Sequence, residues 1–296
     1  MRSFIAFLMR GLPQAVATIV LLSLLPLLSW LGASLLALIT LRQGAQRGVL
    51  IAALSAAVLA LAYGLLIGLP QVVLPLVLEL WLPTLILAWW LRRTVSLSST
   101  LSLAALLAGL AVGLLYLVYP DQQALWAPLL EQLKDMAQDQ SSQAQELVLA
   151  FGEHVLPLMT GILVLGFSGT VIMALLLARW LQALLYNPGG FQREFHALNL
   201  SRSLALVAAG LLVAALFVGN GLVHDLAFVV SAVFALQTLA LVHAVVASRS
   251  GSRMWFVGLY LLLPLLFEVA VALGVGDAVF GWRRRLLTGR GGGGAA

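Results

Sequence analysis

Two carboxylates lie inside long apolar runs, and they are the first residues in this chain that could do chemistry. Glu79 sits in the run Val72–Leu91, between Pro75 and Pro83. Glu268 follows Pro264 in the run Met254–Leu273. An acid at the centre of a membrane helix costs on the order of 2.5–3.5 kcal/mol on insertion scales. Each proline lacks an N–H, so it leaves an upstream carbonyl without its helical donor and bends the helix. A bent helix carrying an acid is an arrangement that a small ligand or a cation can use, so Glu79 and Glu268 are the candidate ligand-binding residues. The competing reading sets Glu79 near an aqueous interface and gives Glu268 a helix-packing hydrogen bond.

Other polar groups support packing more readily than chemistry. Asn220, His224, Gln237 and His243 belong to interhelical hydrogen bonds worth about 0.6–2 kcal/mol each. Small residues recur at helix-packing spacing: Gly109 with Gly113, Ala33 with Ala37, Ala53 with Ala57, and Gly210 with Ala214. Such pairs let backbones approach closely, within the bundle or against a partner. The stretch Asn187–His196 is the most motif-like. A Pro-Gly-Gly turn leads into a short helix that puts Phe191, Phe195 and Leu198 on one face and turns Arg193 and Glu194 to water. Phe191, Arg193, Glu194 and Phe195 are the candidate partner-docking residues; an interfacial elbow is the plainer alternative.

Enzyme signatures are absent. The sequence has no His-Glu-x-x-His, no Walker A loop, no Gly-x-Ser-x-Gly and no carboxylate set at metal-ligand spacing. It has no cysteine, which excludes disulfides, thiol catalysis and iron–sulfur centres. The expectation is a non-enzyme with no catalytic residues, metal or cofactor.

The elements that must position these residues follow from composition. The chain has 296 residues, 62% of them hydrophobic and only 9% charged. A soluble domain carries about 25% charged residues, so there is too little charge here to coat a water-facing surface. Uninterrupted apolar runs point to helices that cross a bilayer. The fold class expected is all-α, a polytopic transmembrane bundle of about eight spans, within a range of roughly seven to nine. The run Leu12–Leu41 would be about 45 Å long as one rod against a hydrocarbon core of about 30 Å. With Pro26 in its middle, a hairpin of two short helices fits better.

Further spans are expected at Val49–Leu69, Val72–Leu91, Leu101–Tyr119, Val155–Ala178, Ser203–Val223, Leu226–Ala247 and Met254–Leu273. Residues 1–290 form a single transmembrane domain, and the Gly/Ala-rich tail 291–296 is expected to be disordered. Within the domain, 120–153 is an amphipathic insert, with Leu125, Trp126, Leu129, Leu130, Leu133 and Met136 at helical spacing. It lies on the membrane surface or caps the bundle, and its functional version is a lid over a pocket.

Charge then assigns sides. Net charge is +5. The arginines cluster in alternate short loops, the usual sign of topology, and not in a basic groove with interleaved aromatics, so nucleic acid is not an expected partner. Loops 42–48, 92–100, 179–202 and 248–253 are expected in the cytoplasm. Asp121, Glu131, Asp135, Asp139, Glu146, Glu153 and Asp225 fall in the opposite loops. Arg2 and Arg10 before the first apolar run are read as flanking an uncleaved anchor. The cluster Arg283–Arg285 with Arg290 breaks the alternation: either the last segment, with Pro264 and Glu268, turns back, or one span is miscounted.

Four stretches carry a family resemblance: the Pro26 hairpin running into Arg42-Gln43-Gly44, the apolar span after it, the elbow Asn187–Phe195 ending in Leu198-Asn199-Leu200-Ser201-Arg202, and Gly276-Asp277 followed by Trp282-Arg283-Arg284. In these the chain resembles the YybS-like bacterial integral membrane proteins, a group of unknown function. Its members tend to have Leu-Arg-Leu-Pro where this chain has Leu-Asn-Leu-Ser. The family is distantly similar to the substrate-binding subunits of energy-coupling-factor transporters. The resemblance implies a small molecule bound among helices near the outer face of a bacterial inner membrane. It also implies an ATPase or membrane partner docked on a small-residue face such as Ala33/Ala37 or Ala53/Ala57. The alternative is a structural or assembly protein that packs with a partner complex.

Overall fold

The computed structural model describes residues 11–138, 140–219, 221–248, 252, 254–283 and 286, and among these it is helical with no strand. Arg2, Arg10, Asp139, Asn220, Arg249, Arg253, Arg284, Arg285, Arg290 and the tail lie outside the described residues. Among the described residues, five helices are long and apolar enough to cross a membrane: Ala45–Ile67, Pro70–Thr94, Leu97–Val118, Ser142–Tyr186 and Leu222–Ser248. A sixth is reached if Met254–Leu262 and Phe267–Phe280, bent by 110° at Pro264, are counted together. The chain divides into two compact units, Met1–Ala104 with Phe167–Asn199, and Ala105–Gly166 with Leu200–Ala296.

The first unit begins with α1 (Leu12–Ser23), a 3-10 turn at Pro26–Leu28 and α2 (Ser29–Gln43). Pro26 has no N–H to continue α1, so the run folds back as the expected hairpin. The two helices touch closely: a Cβ on Gly32 would lie 2.6 Å from Ser23 Oγ. Tyr63 from the next helix donates to the Leu24 carbonyl at 3.3 Å and so satisfies a group left open at the break. At 12 residues α1 is about 18 Å long, short of the hydrocarbon core.

Gly32 to Leu41 of α2 are all buried, so this helix forms the centre of the unit. Gly44, at φ 98°, turns the chain into α3 (Ala45–Ile67). One turn on, Gly48 faces Thr40, and a Cβ there would sit 2.0 Å from Thr40 Oγ1. α4 (Pro70–Thr94) contains a π-helical stretch, Leu76–Trp81, between its prolines. Pro83 cannot donate to the carbonyl of Glu79, and the ladder slips to a wider turn there.

In the second unit, α10 (Arg202–Val218) and α11 (Leu222–Ser231) form a hairpin around Gly219 and Gly221, and α11 runs on through Ala232 into α12 (Val233–Ser248). The final run does not continue as one span. It breaks into α13 (Met254–Leu262) and α14 (Phe267–Phe280). α14 packs antiparallel on α12. Thr238 donates to the Ala270 carbonyl at 2.5 Å. Gly274 rests on the Phe234 backbone, where a Cβ would lie 2.0 Å from the carbonyl oxygen.

A buried polar knot locks this packing. The Leu200 N–H donates to Gln237 Oε1 at 2.8 Å, Gln237 Nε2 donates to Asp277 Oδ2 at 2.8 Å, and the Arg283 N–H donates to Asp277 Oδ1 at 2.8 Å. Gln237 is fully buried and Asp277 nearly so. Burial pulls the Arg283 guanidinium down from its usual range, and Asp277 opposes that pull.

Candidate functional site

The expected amphipathic insert forms α6 (Gln122–Ala137) and α7 (Ser142–His154) in the second unit, each started by a side-chain cap. Asp121 accepts from the Ala124 N–H at 3.0 Å and Ser141 from the Ala144 N–H at 3.4 Å. Each cap satisfies a first-turn N–H and sets where its helix begins. Leu130 of α6 lies against Gly152 of α7, where a Cβ would come within 2.9 Å of it.

α6 is fastened to α8 (Met159–Tyr186) through Thr160, which is 1% exposed. Trp126 Nε1 donates to Thr160 Oγ1 at 2.9 Å, and the threonine hydroxyl donates to Gln122 Oε1 at 2.6 Å. The Gln122 amide in turn donates to the Tyr119 carbonyl at the end of α5 (Leu97–Val118). The amphipathic pattern therefore ends in a specific clasp and not in a loose surface helix.

A cavity of about 770 Å³ lies beneath this cap. Tyr116, Gln122, Ala127, Leu130, Gly152 and Pro157 are among the residues that line it. Its volume falls within the range of about 300–1,000 Å³ typical of small-molecule sites, and its mix of apolar walls with a few polar groups is typical too.

Tyr116 links the cavity to a buried acid. Its hydroxyl donates to Asp225 Oδ2 at 2.9 Å, and Asp225 is 1% exposed in the first turn of α11. The backbone N–H of Gly161 also bonds this carboxyl. His224 stands at the edge, with Nδ1 4.0 Å from Asp225 Oδ1. Gly161 leaves room for this carboxyl: a Cβ there would sit 2.6 Å from Asp225 Oδ1 and would have to push it aside. Burying a carboxyl is costly unless its oxygens are bonded, and here Tyr116, Gly161 and the positive end of α11 meet that need. An acid buried beside a cavity can orient a polar ligand, directly or through the tyrosine hydroxyl.

Glu79 is exposed on the π-helical stretch of α4 in the first unit. Glu268 is exposed in the first turn of α14 in the second. Neither has a hydrogen-bond or ion-pair partner among the described residues, and neither lines the cavity under the cap.

The elbow forms α9 (Gly190–His196), entered through Gly189 at φ 80°. Phe191 and Phe195 stack at 5.9 Å and Leu198 is buried, as their shared face requires. Arg193 is exposed and reaches Asn187 Oδ1 at 3.3 Å. Glu194, expected to face water, is instead half-buried against Arg179, whose Nε donates to Glu194 Oε2 at 2.8 Å. A guanidinium on α8 holds that acid in a two-pronged pair, which a helical-wheel reading of the elbow alone cannot supply.

Of the small residues, Ala33 and Ala37 are fully buried, and Gly109 lies where a Cβ would meet Val230 Cγ2 at 3.2 Å. Gly113 and Gly210 have open space at that position, and Ala53 and Ala57 are exposed on α3. His243 stacks on Phe256 at 4.4 Å, with its Nδ1 2.8 Å from the Leu239 carbonyl.

Sequence reasoning missed Asp225 and Tyr116. By sequence Asp225 falls among the loop acids, between the spans Ser203–Val223 and Leu226–Ala247. The usable signal was its place three residues after Leu222 in an otherwise apolar run, where an acid complements a helix start. Among the described residues no cluster of three or more His, Asp or Glu could hold a metal. No protein family, curated protein or solved structure matches the chain. The residues define an all-helical chain whose apolar helices fit a multi-pass membrane protein.

Proposed function

We propose that the chain is a small-molecule binding or transport subunit of a bacterial inner membrane, and that its ligand sits in the cavity under the α6–α7 cap. The observation that carries this reading is the cavity of about 770 Å³ with Tyr116 on its wall and the buried Asp225 behind it. A membrane-buried acid is a functional-site hypothesis by default, because it is expensive to keep. Asp121 lines the same cavity and, among the described residues, no arginine or lysine does, so a neutral or cationic ligand suits it better than an anion.

This reading takes the likeness to substrate-binding subunits of energy-coupling-factor transporters at face value. It gives the exposed Ala53/Ala57 stripe, or the elbow around Arg193 and Phe195, to a partner such as an ATPase module. It keeps about eight apolar passages, counting the short helices with the full spans, and it keeps the arginine loops in the cytoplasm.

Ala127→Trp tests the site by filling the cavity. Ala127 is exposed there, so the change leaves the Tyr116–Asp225 pair alone. In a thermal-shift screen of amines, vitamins and other small polar metabolites, the wild type is expected to be stabilised by at least one compound and Ala127→Trp by none. Equal stabilisation of both proteins by every active compound would remove the ligand from this cavity.

The second reading, a ligand-free assembly protein, rests on the exposed small-residue face of α3. It predicts that Ala127→Trp supports function as the wild type does, while Ala53→Leu with Ala57→Leu loses it.

A further inference from the structure

The turn between α2 and α3 borders a second, half-open cavity, of about 380 Å³, with a chemistry opposite to that of the first. Arg92 and Arg93 line it together with Trp89, Gly44, Ala45 and Gln46, and among the described residues no acid does. Arg92 is anchored by one prong, donating from Nη1 to the Leu41 carbonyl at 2.5 Å at the end of α2. Arg93 lies 5.2 Å over the Trp89 ring. Both are exposed, and neither pairs with a carboxylate among the described residues.

α3 begins at the same place with no side-chain cap. Its first-turn N–H groups therefore lack an intrahelical acceptor, and they lie beside two guanidiniums. Guanidinium forks and free N–H groups together match a phosphate.

The same helix says what carries the phosphate. Leu50, Leu54, Val58, Leu61 and Leu65 are all exposed, at 41–79%, and recur every three or four residues. They form one apolar stripe that leads from the cavity along α3. A phosphate with an acyl chain attached satisfies the cavity and the stripe together, whereas a free phosphate uses only the cavity.

We infer that the cavity at the α2–α3 turn binds the phosphate of an anionic membrane phospholipid, held by Arg92 and Arg93 beside the α3 N-terminus. The site is independent of the proposed ligand cavity.

Native mass spectrometry of the full chain, released from micelles containing equimolar phosphatidylcholine and phosphatidylglycerol, tests it. The wild type is expected to retain phosphatidylglycerol preferentially. Arg92→Gln with Arg93→Gln should retain it at least about fivefold less, the contribution of a single arginine at an anionic surface. Arg93→Gln alone leaves the Arg92 anchor intact, so it gives a reading even if the double variant fails to fold. Arg202→Gln, an exposed arginine elsewhere, should behave as the wild type. Equal retention by the wild type and Arg93→Gln would overturn the site. Displacement of the lipid by inorganic phosphate at comparable concentration would overturn the lipid assignment in favour of a free phosphate.

Discussion

At the scale of single residues, the contrast between Asp225 and the two acids singled out by sequence is instructive. Glu79 and Glu268 drew attention because prolines flank them inside apolar runs. Asp225, a loop residue by its sequence, is one of two acids the fold encloses, with Asp277, and it is bonded by Tyr116 and Gly161. Burial of a carboxyl depends on where the donors converge, and Tyr116 is 109 positions away in sequence. No local pattern carries that information. Tyr116→Phe is expected to lower stability by about 0.6–2 kcal/mol, the usual range for a polar pair between membrane helices. The loss is measured by thermal unfolding in micelles. Gly161→Ala should act on the same pair by pushing a methyl into Asp225. A double-mutant cycle with Tyr116→Phe should therefore be non-additive, and simple additivity would mean that the two donors do not share the carboxyl.

At the scale of elements, the sequence showed more. The Pro26 hairpin, the elbow helix and the amphipathic insert were each legible, because proline, glycine and apolar periodicity act over a few residues. Element boundaries shift where tertiary bonds decide them: the turn expected between the spans Ser203–Val223 and Leu226–Ala247 falls earlier, at Gly219 and Gly221, and the last span breaks at Pro264. The clasp of Gln122, Trp126 and Thr160 was not legible, since polar residues on an amphipathic helix look like a solvated face until their partner is known. Thr160→Val removes the shared hydroxyl. It is expected to speed amide exchange across Gln122–His154 while leaving α12 and α14 protected, as read by hydrogen-exchange mass spectrometry. Gly274→Ala acts on a different contact. It forces α14 off the Phe234 backbone and should cost about 1–3 kcal/mol, an overpacking penalty.

At the scale of the whole molecule, composition made the all-helical, membrane-type class plain, and the number of crossings less so. Full-length spans and short apolar helices have the same residue content. Whether a run crosses or turns back depends on contacts such as Gln237 with Asp277. The 110° break at Pro264 bears on the one violation of charge alternation, because it lets the chain return before Arg283. We expect the C-terminal arginines on the same side as the Asn187–Ser201 elbow. The chain has no cysteine, so single-cysteine variants can be labelled without background. Leu286→Cys and Ala197→Cys should react with an impermeant maleimide from the same side of a vesicle, and Ser141→Cys from the other. Labelling of Leu286→Cys together with Ser141→Cys would show that the final run crosses.

The knot of Leu200, Gln237, Asp277 and Arg283 also implies an order of assembly. Gln237 is synthesised forty residues before its acceptor Asp277. Until α14 emerges, the Gln237 amide and the Thr238 hydroxyl have no partner on that face, and the groove over Phe234 stands open. A nascent chain stopped before Phe267 is thus an unfinished half-site, with two polar side chains of α12 still waiting for their α14 partners. The groove closes only when α14 turns back onto α12, through Thr238 with Ala270 and Gly274 on the Phe234 backbone.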